Sequence, residues 1–151
     1  MRQKVLRPRQ APEELEYPGD DAPDSRHVGA YLAGELVGVA SVCREPQPGG
    51  SEPRAWRLRG MATLPSVRRT GVGQTLLEAC SAHAAERGGA RLWCNARSAA
   101  VEFYRALGFR IEGEEFELPE IGAHFLMWRP IPRFELRQAT EGDSRAGSDP
   151  R

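Results

Sequence analysis

Residues 68–73 read Arg-Arg-Thr-Gly-Val-Gly, and an amphipathic helix pattern starts directly behind them. No other stretch constrains the fold as much, because it joins a strand, a turn and a helix in one fixed order. Gly71 and Gly73 let the backbone approach a ligand and take torsions that a side chain forbids. A helix launched there offers free N–H groups and the positive end of its dipole, which together form an anion site. Arg68 and Arg69 add positive charge just upstream. A diphosphate suits this chemistry.

The flanking pattern sets the fold class. Val28–Leu32 and Leu36–Cys43 read as a hairpin turned at Ala33-Gly34-Glu35. Pro46, Pro48, Gly49-Gly50 and Pro53 mark a loop over 44–54, and Ala55–Leu64 is the next strand, ended by Pro65. The helix opened by Gly71 puts Val72, Leu76, Ala79, Cys80 and His83 on one face, and Gly88-Gly89 stops it. Arg91–Ala96 is a short strand. Ser98 reads as the N-cap of a second helix, Ala99–Leu107, with Ala100, Phe103, Tyr104 and Leu107 on one side and Gly108 at its end. Strands over Arg110–Leu118 and His124–Ile131 follow, separated by a turn at 119–122. The order predicts an α/β fold: a mixed, mostly antiparallel sheet with flanking helices. Residues 1–26 are polar and cut by prolines, with room for a short helix at Arg2–Arg7. Residues 133–151 form a polar C-terminal tail, so the domain is placed at 1–132.

Composition removes several function classes. The 151 residues carry 21 basic and 21 acidic side chains, so no global field draws the chain to nucleic acid or a membrane surface, and no basic helix is present. Cys43, Cys80 and Cys94 lack metal-ligand spacing and read as reduced core thiols, which together with the absence of a long apolar run predicts a cytoplasmic, non-membrane protein without a metal. His27 and His83 read as structural, and Trp56, Trp93 and Trp128 as core or interface residues.

Three phosphate-binding patterns compete at the glycine turn. A nucleoside-triphosphate loop needs Lys-Ser/Thr after the last glycine, and Gln74-Thr75 stands there. A dinucleotide fingerprint needs a third glycine, and position 76 is Leu. The third pattern, Arg/Gln-x-x-Gly-x-Gly/Ala after an antiparallel meander, resembles the acyl-CoA loop of the GCN5-related N-acetyltransferase superfamily. The resemblance runs from about Val28 to Ile131. It includes the strand Leu58–Leu64, Leu92-Trp93-Cys94-Asn95, and Phe103-Tyr104 with Leu107-Gly108-Phe109.

That resemblance implies acetyl-CoA as co-substrate and a primary amine of a small molecule or peptide as acceptor, attacked directly without a covalent enzyme intermediate. The strands at 55–64 and 91–96 would begin parallel and then splay into a V. Met61, Ala62 and Thr63 would pair with the pantetheine arm, and an N–H near Met61–Ala62 would hold the oxyanion. The pyrophosphate would rest on the amides of Arg69, Thr70, Gly71, Val72 and Gly73, screened by Arg68 and Arg69. Asn95 would bond the pantetheine amides with Ser98 nearby, and Tyr104 would protonate the departing thiolate. The base stays open among Glu45, Glu117, Glu120 and His124. His124 sits in Gly-Ala-His, which resembles a Gly-x-Pro-His turn of small bacterial members.

Relatives usually begin with a strand and a helix; this sequence opens at what resembles the end of that helix, and the opening strand has no counterpart at the N-terminus. Residues Phe134–Asp143 resemble such an opening segment, and an unfilled sheet edge would favour a homodimer. The alternative function is a non-catalytic acyl-CoA-binding module with a degenerate acceptor site.

Overall fold

The computed structural model describes residues 24–132. The expected helix at Arg2–Arg7, the polar tail and the segment Phe134–Asp143 lie outside that range. Six strands make one sheet, lying side by side in the chain order first, second, third, fourth, sixth, fifth. β1 (Arg26–Leu32) and β2 (Glu35–Arg44) form the expected hairpin. Its turn residues Ala33 and Gly34 both have positive φ, 52° and 84°. Two such residues in succession give the turn whose twist matches that of the strands. β2 pairs antiparallel with β3 (Ala55–Thr63), and β3 pairs parallel with β4 (Arg91–Arg97). β5 (Arg110–Leu118) and β6 (Gly122–Pro130) form the final hairpin, with β6 inserted beside β4.

Helix α1 (Val72–Glu86) buries Leu76, Leu77, Cys80, Ser81, His83, Ala84 and Ala85. Ala79, assigned to that face from its spacing, is exposed instead. The buried stripe is centred on Leu77, Cys80 and Ala84, and position 79 is rotated away from that centre. α1 ends in a double hydrogen-bonded stop: the Gly89 N–H donates to Ala84 O at 2.8 Å and the Gly88 N–H to Ala85 O at 3.0 Å. Gly88 supplies the left-handed φ of 80° that this stop requires. Gly89 is needed for space, since a Cβ there would lie 2.8 Å from both Ala84 O and Trp56 Cδ1.

The second helix starts later than its sequence suggests. Ser98–Ala100 is a 3-10 turn and α2 covers Val101–Ala106. Ser98 is not an N-cap: its hydroxyl donates to Glu115 Oε2 at 2.7 Å, and neither helical segment has a side-chain cap. A charged acceptor across the sheet outcompetes the helix amides for that hydroxyl. α2 ends like α1, with the Phe109 N–H on Tyr104 O at 3.1 Å and the Gly108 N–H on Arg105 O at 3.1 Å. The Leu107-Gly108-Phe109 block is therefore a helix stop.

The core lies between the sheet and the two helices. Trp56, Leu58, Leu77, Leu92 and Met127 are almost wholly buried in it. Trp93 is buried as well, whereas Trp128 is half-buried between the guanidinium groups of Arg91 and Arg110, 3.8 and 4.8 Å from its ring centre. His83 donates from Nε2 to Asp24 O at 2.8 Å, and His27 Nδ1 is bonded to Ser41 Oγ at 2.7 Å. All three cysteines are free and buried.

Candidate active site

The parallel pairing of β3 with β4 covers three positions, Ala55↔Arg91, Trp56↔Leu92 and Arg57↔Trp93. Beyond Arg57 the two strands diverge, while β4 stays paired with β6 through Arg97. One local feature turns β3 away. Val39 pairs with Ala62 and Ser41 with Arg59, so Gly60 and Met61 together face Ala40. Gly60 has φ 67°, which makes this a glycine bulge. The opening is a cavity of about 1080 Å³, walled by residues 57–63 of β3, residues 94–97 of β4, the 67–74 loop, α2 and His124. The expected V-shaped cleft is present.

At one end of the cleft the first turn of α1 stands open. Gly71, its N-cap, is left-handed at φ 92° and no side chain caps the helix. The first amides of a helix have no partner within it, so an external acceptor must satisfy them. Arg69 is also left-handed, at φ 66°, and reorients the chain just before the helix. Within the loop the amides of Arg68 and Thr70 are already committed, to Pro65 O and Val67 O at 3.3 Å each, and the Thr70 hydroxyl also donates to Val67 O. Among the described residues, the amides without a backbone acceptor here are those of Arg69, Gly71, Val72, Gly73 and Gln74, rather than the whole loop. Gly73 has a second role. A Cβ there would meet the Phe103 ring at 3.0 and 3.1 Å, so glycine lets α2 close against α1. Arg68 and Arg69 are exposed and line the cavity. Open amides and two nearby guanidinium groups can together receive a diphosphate.

Tyr104 lines the cleft from α2 and is 7% exposed. Its ring packs edge-on between Phe103 and Phe109 at 5.0 and 5.3 Å. Burial pushes its phenol well above the ordinary value, with smaller contributions from the Cys94 and Cys80 thiols. The hydroxyl therefore stays protonated. Cys94 also lines the cleft, but burial raises its thiol far above the ordinary range, which leaves it an unreactive wall residue.

His124 is 4% exposed, buried rather than at the surface as a strand-start histidine would be. Its Nδ1 lies 2.8 Å from Gly122 O. A carbonyl can only accept, so Nδ1 carries a proton, and in that tautomer Nε2 is the acceptor. Phe116 stacks on the ring at 5.9 Å. His124 pairs with Arg97 across β4 and β6. Cys94, Ala96 and Met127 share the buried cluster with Tyr104, so strand alternation puts His124 and Arg97 on the other face. Tyr104 and His124 thus reach the cleft from opposite sides of the sheet. Of the other base candidates, Glu45 is engaged by Arg57 at 3.0 Å and Arg59 at 3.7 Å. Glu117 and Glu120 are exposed, and none of these three lines the cavity.

Met61, Ala62, Thr63 and Asn95 all line the cleft. Ser98, Thr70 and Val72 border it without lining it. Arg57, Arg59 and Arg97 line it too and were missed as site residues; their signal was the Arg57/Arg59 alternation on a strand otherwise apolar on its other face. Among the described residues no cluster of three or more His, Cys, Asp or Glu could hold a metal, and no helix is long and apolar enough to cross a membrane.

Comparison with known proteins agrees with this geometry. The model of the Acetyltransferase (GNAT) family matches residues 3–109. The chain is 39% identical over 131 residues to the N-acetyltransferase YitI of Bacillus subtilis (strain 168), spanning 87% of this chain and 88% of that protein. Its fold resembles an aminoglycoside 6'-N-acetyltransferase complexed with coenzyme A, at TM-score 0.61 and 20% identity over 74% of this chain and 76% of the other. It also resembles a nourseothricin acetyltransferase, at TM-score 0.63 and 27% identity over 74% and 68% of the two chains.

Proposed function

The chain belongs to the GNAT family of acetyltransferases and is an N-acetyltransferase that uses acetyl-CoA, and we propose that it acetylates a primary amine of a small molecule or peptide by direct attack in a ternary complex. Acetyl-CoA supplies the activated thioester. The chain's own residues do the rest. The open amides at Arg69 and Gly71–Gly73, with Arg68 and Arg69 beside them, hold the diphosphate. The unpaired edge of β3 at Met61–Thr63 receives the pantetheine arm as an added strand, and Asn95 bonds it from the facing edge. An N–H near Met61–Ala62, just past the Gly60–Met61 bulge, steadies negative charge on the carbonyl oxygen. His124 Nε2 takes the proton of the attacking amine, directly or through water. The Tyr104 hydroxyl gives a proton to the departing sulfur from the opposite side of the sheet.

Tyr104 carries this proposal: a phenol kept protonated by burial, on the wall of a cleft opened by two diverging strands. Thiol release from acetyl-CoA in the presence of primary amines is the expected activity. Tyr104→Phe should lower kcat by about 10²-fold or more, the usual worth of a positioned acid, with acetyl-CoA affinity unchanged. Undiminished turnover removes Tyr104 from the role. Thermal protection by acetyl-CoA without thiol release from any amine would favour the non-catalytic binding module.

A further inference from the structure

The tip of the last hairpin brings apolar side chains to the cleft beside His124. Leu118 and Ile121 are half-buried, and both line the cleft. Phe116 pairs with His124 and Leu118 with Gly122, so alternation puts Phe116, Leu118 and His124 on one face. Phe116 stacks on the imidazole, and Leu118 is the diagonal neighbour of His124 on that face. The turn that follows is tightly specified. The Ile121 N–H donates to Leu118 O at 3.0 Å, and Glu120, behind Pro119, is left-handed at φ 64°. Proline at the second position and a positive φ at the third is the pattern of a type II turn, where glycine or asparagine normally stands third. A glutamate held there stores backbone strain, which persists only where the surrounding structure fixes it. The strained turn keeps Leu118 and Ile121 side by side at the cleft.

An amine that gives its proton to His124 Nε2 carries its carbon skeleton past this apolar surface. Arg57 and Arg59, elsewhere on the wall, are ion-paired with Glu45 at 3.0 and 3.7 Å. Leu118 and Ile121 gain from being covered, because apolar area leaving water is favourable and needs no directional partner. Building on acetyl transfer in this cleft, we propose that the acceptor is a primary amine on an uncharged apolar body, an alkylamine or arylalkylamine. Its carbon chain lies against Leu118 and Ile121 while its nitrogen meets His124. Each methylene covered should raise kcat/KM by about fourfold, until the chain outgrows the two side chains. A chain interrupted by oxygen loses part of that contact.

Butylamine against methoxyethylamine, the same chain with oxygen in place of one methylene, tests this with rates expressed per free base. A series of ethylamine, butylamine and hexylamine, with phenethylamine beside it, supplies the dependence on apolar size. Wild-type kcat/KM should favour butylamine over its ether by about tenfold or more and should rise along the series. Leu118→Ser and Ile121→Ser should each flatten that rise without changing the acetyl-CoA dissociation constant, and Leu118→Met should retain it. Equal or reversed preference within the pair, or a rise unchanged in both serine variants, overturns the proposal while leaving acetyl transfer intact. Should a serine variant fail to fold, the wild-type pair decides by itself. If no amine releases thiol, acetyl transfer to amines fails on its own. Calorimetry of the same pair on coenzyme A-saturated protein then decides the acceptor question, with tighter binding of butylamine supporting the proposal and no difference overturning it.

Discussion

At the scale of single residues, His124 shows how little of a side chain's role is written in its neighbours. A histidine at the start of a strand ordinarily faces water. Here a hydrogen bond to Gly122 O, two residues back, turns the ring inward and assigns its proton to Nδ1. Gly122 itself has φ 111°, open to glycine alone, at the turn into β6. Neither fact follows from periodicity. Tyr104 was legible because it stands in a recognisable block, though not the reason for its protonation, which is burial. His124→Gln should cut kcat by tenfold or more while leaving the acetyl-CoA dissociation constant where it was, as stopped-turnover and calorimetric measurements would show. An equal loss of coenzyme affinity would instead make His124 a wall of the coenzyme site.

At the scale of elements, apolar spacing placed both helices and all six strands to within a few residues, because each element packs one face on the core. Errors arose where a local polar contact overrode spacing. Ser98 bonds Glu115 across the sheet and yields a 3-10 turn in place of a helix cap. The β3 bulge was marked by a glycine inside an apolar strand, yet its consequence, the divergence from β4, depends on register and could not be read from one strand. The loop before α1 offers a clean test. Gly71 has φ 92° and nothing within 4 Å of a built Cβ, so a larger residue meets strain but no clash. Gly71→Ala should therefore cost roughly 1–2 kcal/mol from backbone conformation alone. It should also weaken acetyl-CoA binding several-fold by tilting the open amides. A melting curve and a titration on the same variant separate the two effects, and unchanged affinity would move the diphosphate site elsewhere.

At the scale of the whole molecule, several ionisable groups are buried in their neutral form, and this sets an alkaline limit. Burial pushes the Cys80 thiol from 9.0 up to about 12 and raises Cys94 and Tyr104 in the same direction. A group whose folded value is raised contributes stability that is complete below its unfolded value and lost as pH climbs toward the folded one. The melting temperature should thus hold up to about pH 9 and fall between pH 9 and 12, with Cys80 alone accounting for up to roughly 4 kcal/mol. Cys80→Ala should start from a lower midpoint, because it leaves a cavity, but decline less steeply across that window. An equally steep decline would show that Cys80 is not the source. The three-rung seam between β3 and β4 has a mechanical consequence as well. Two rigid leaves joined along so short a hinge have soft opening modes, and a guest bonded to both leaves acts as a splint. Saturation with coenzyme A should slow amide hydrogen exchange in β3 and β4 together, well beyond the residues in direct contact, so that the reagent for each turnover also braces the enzyme that uses it.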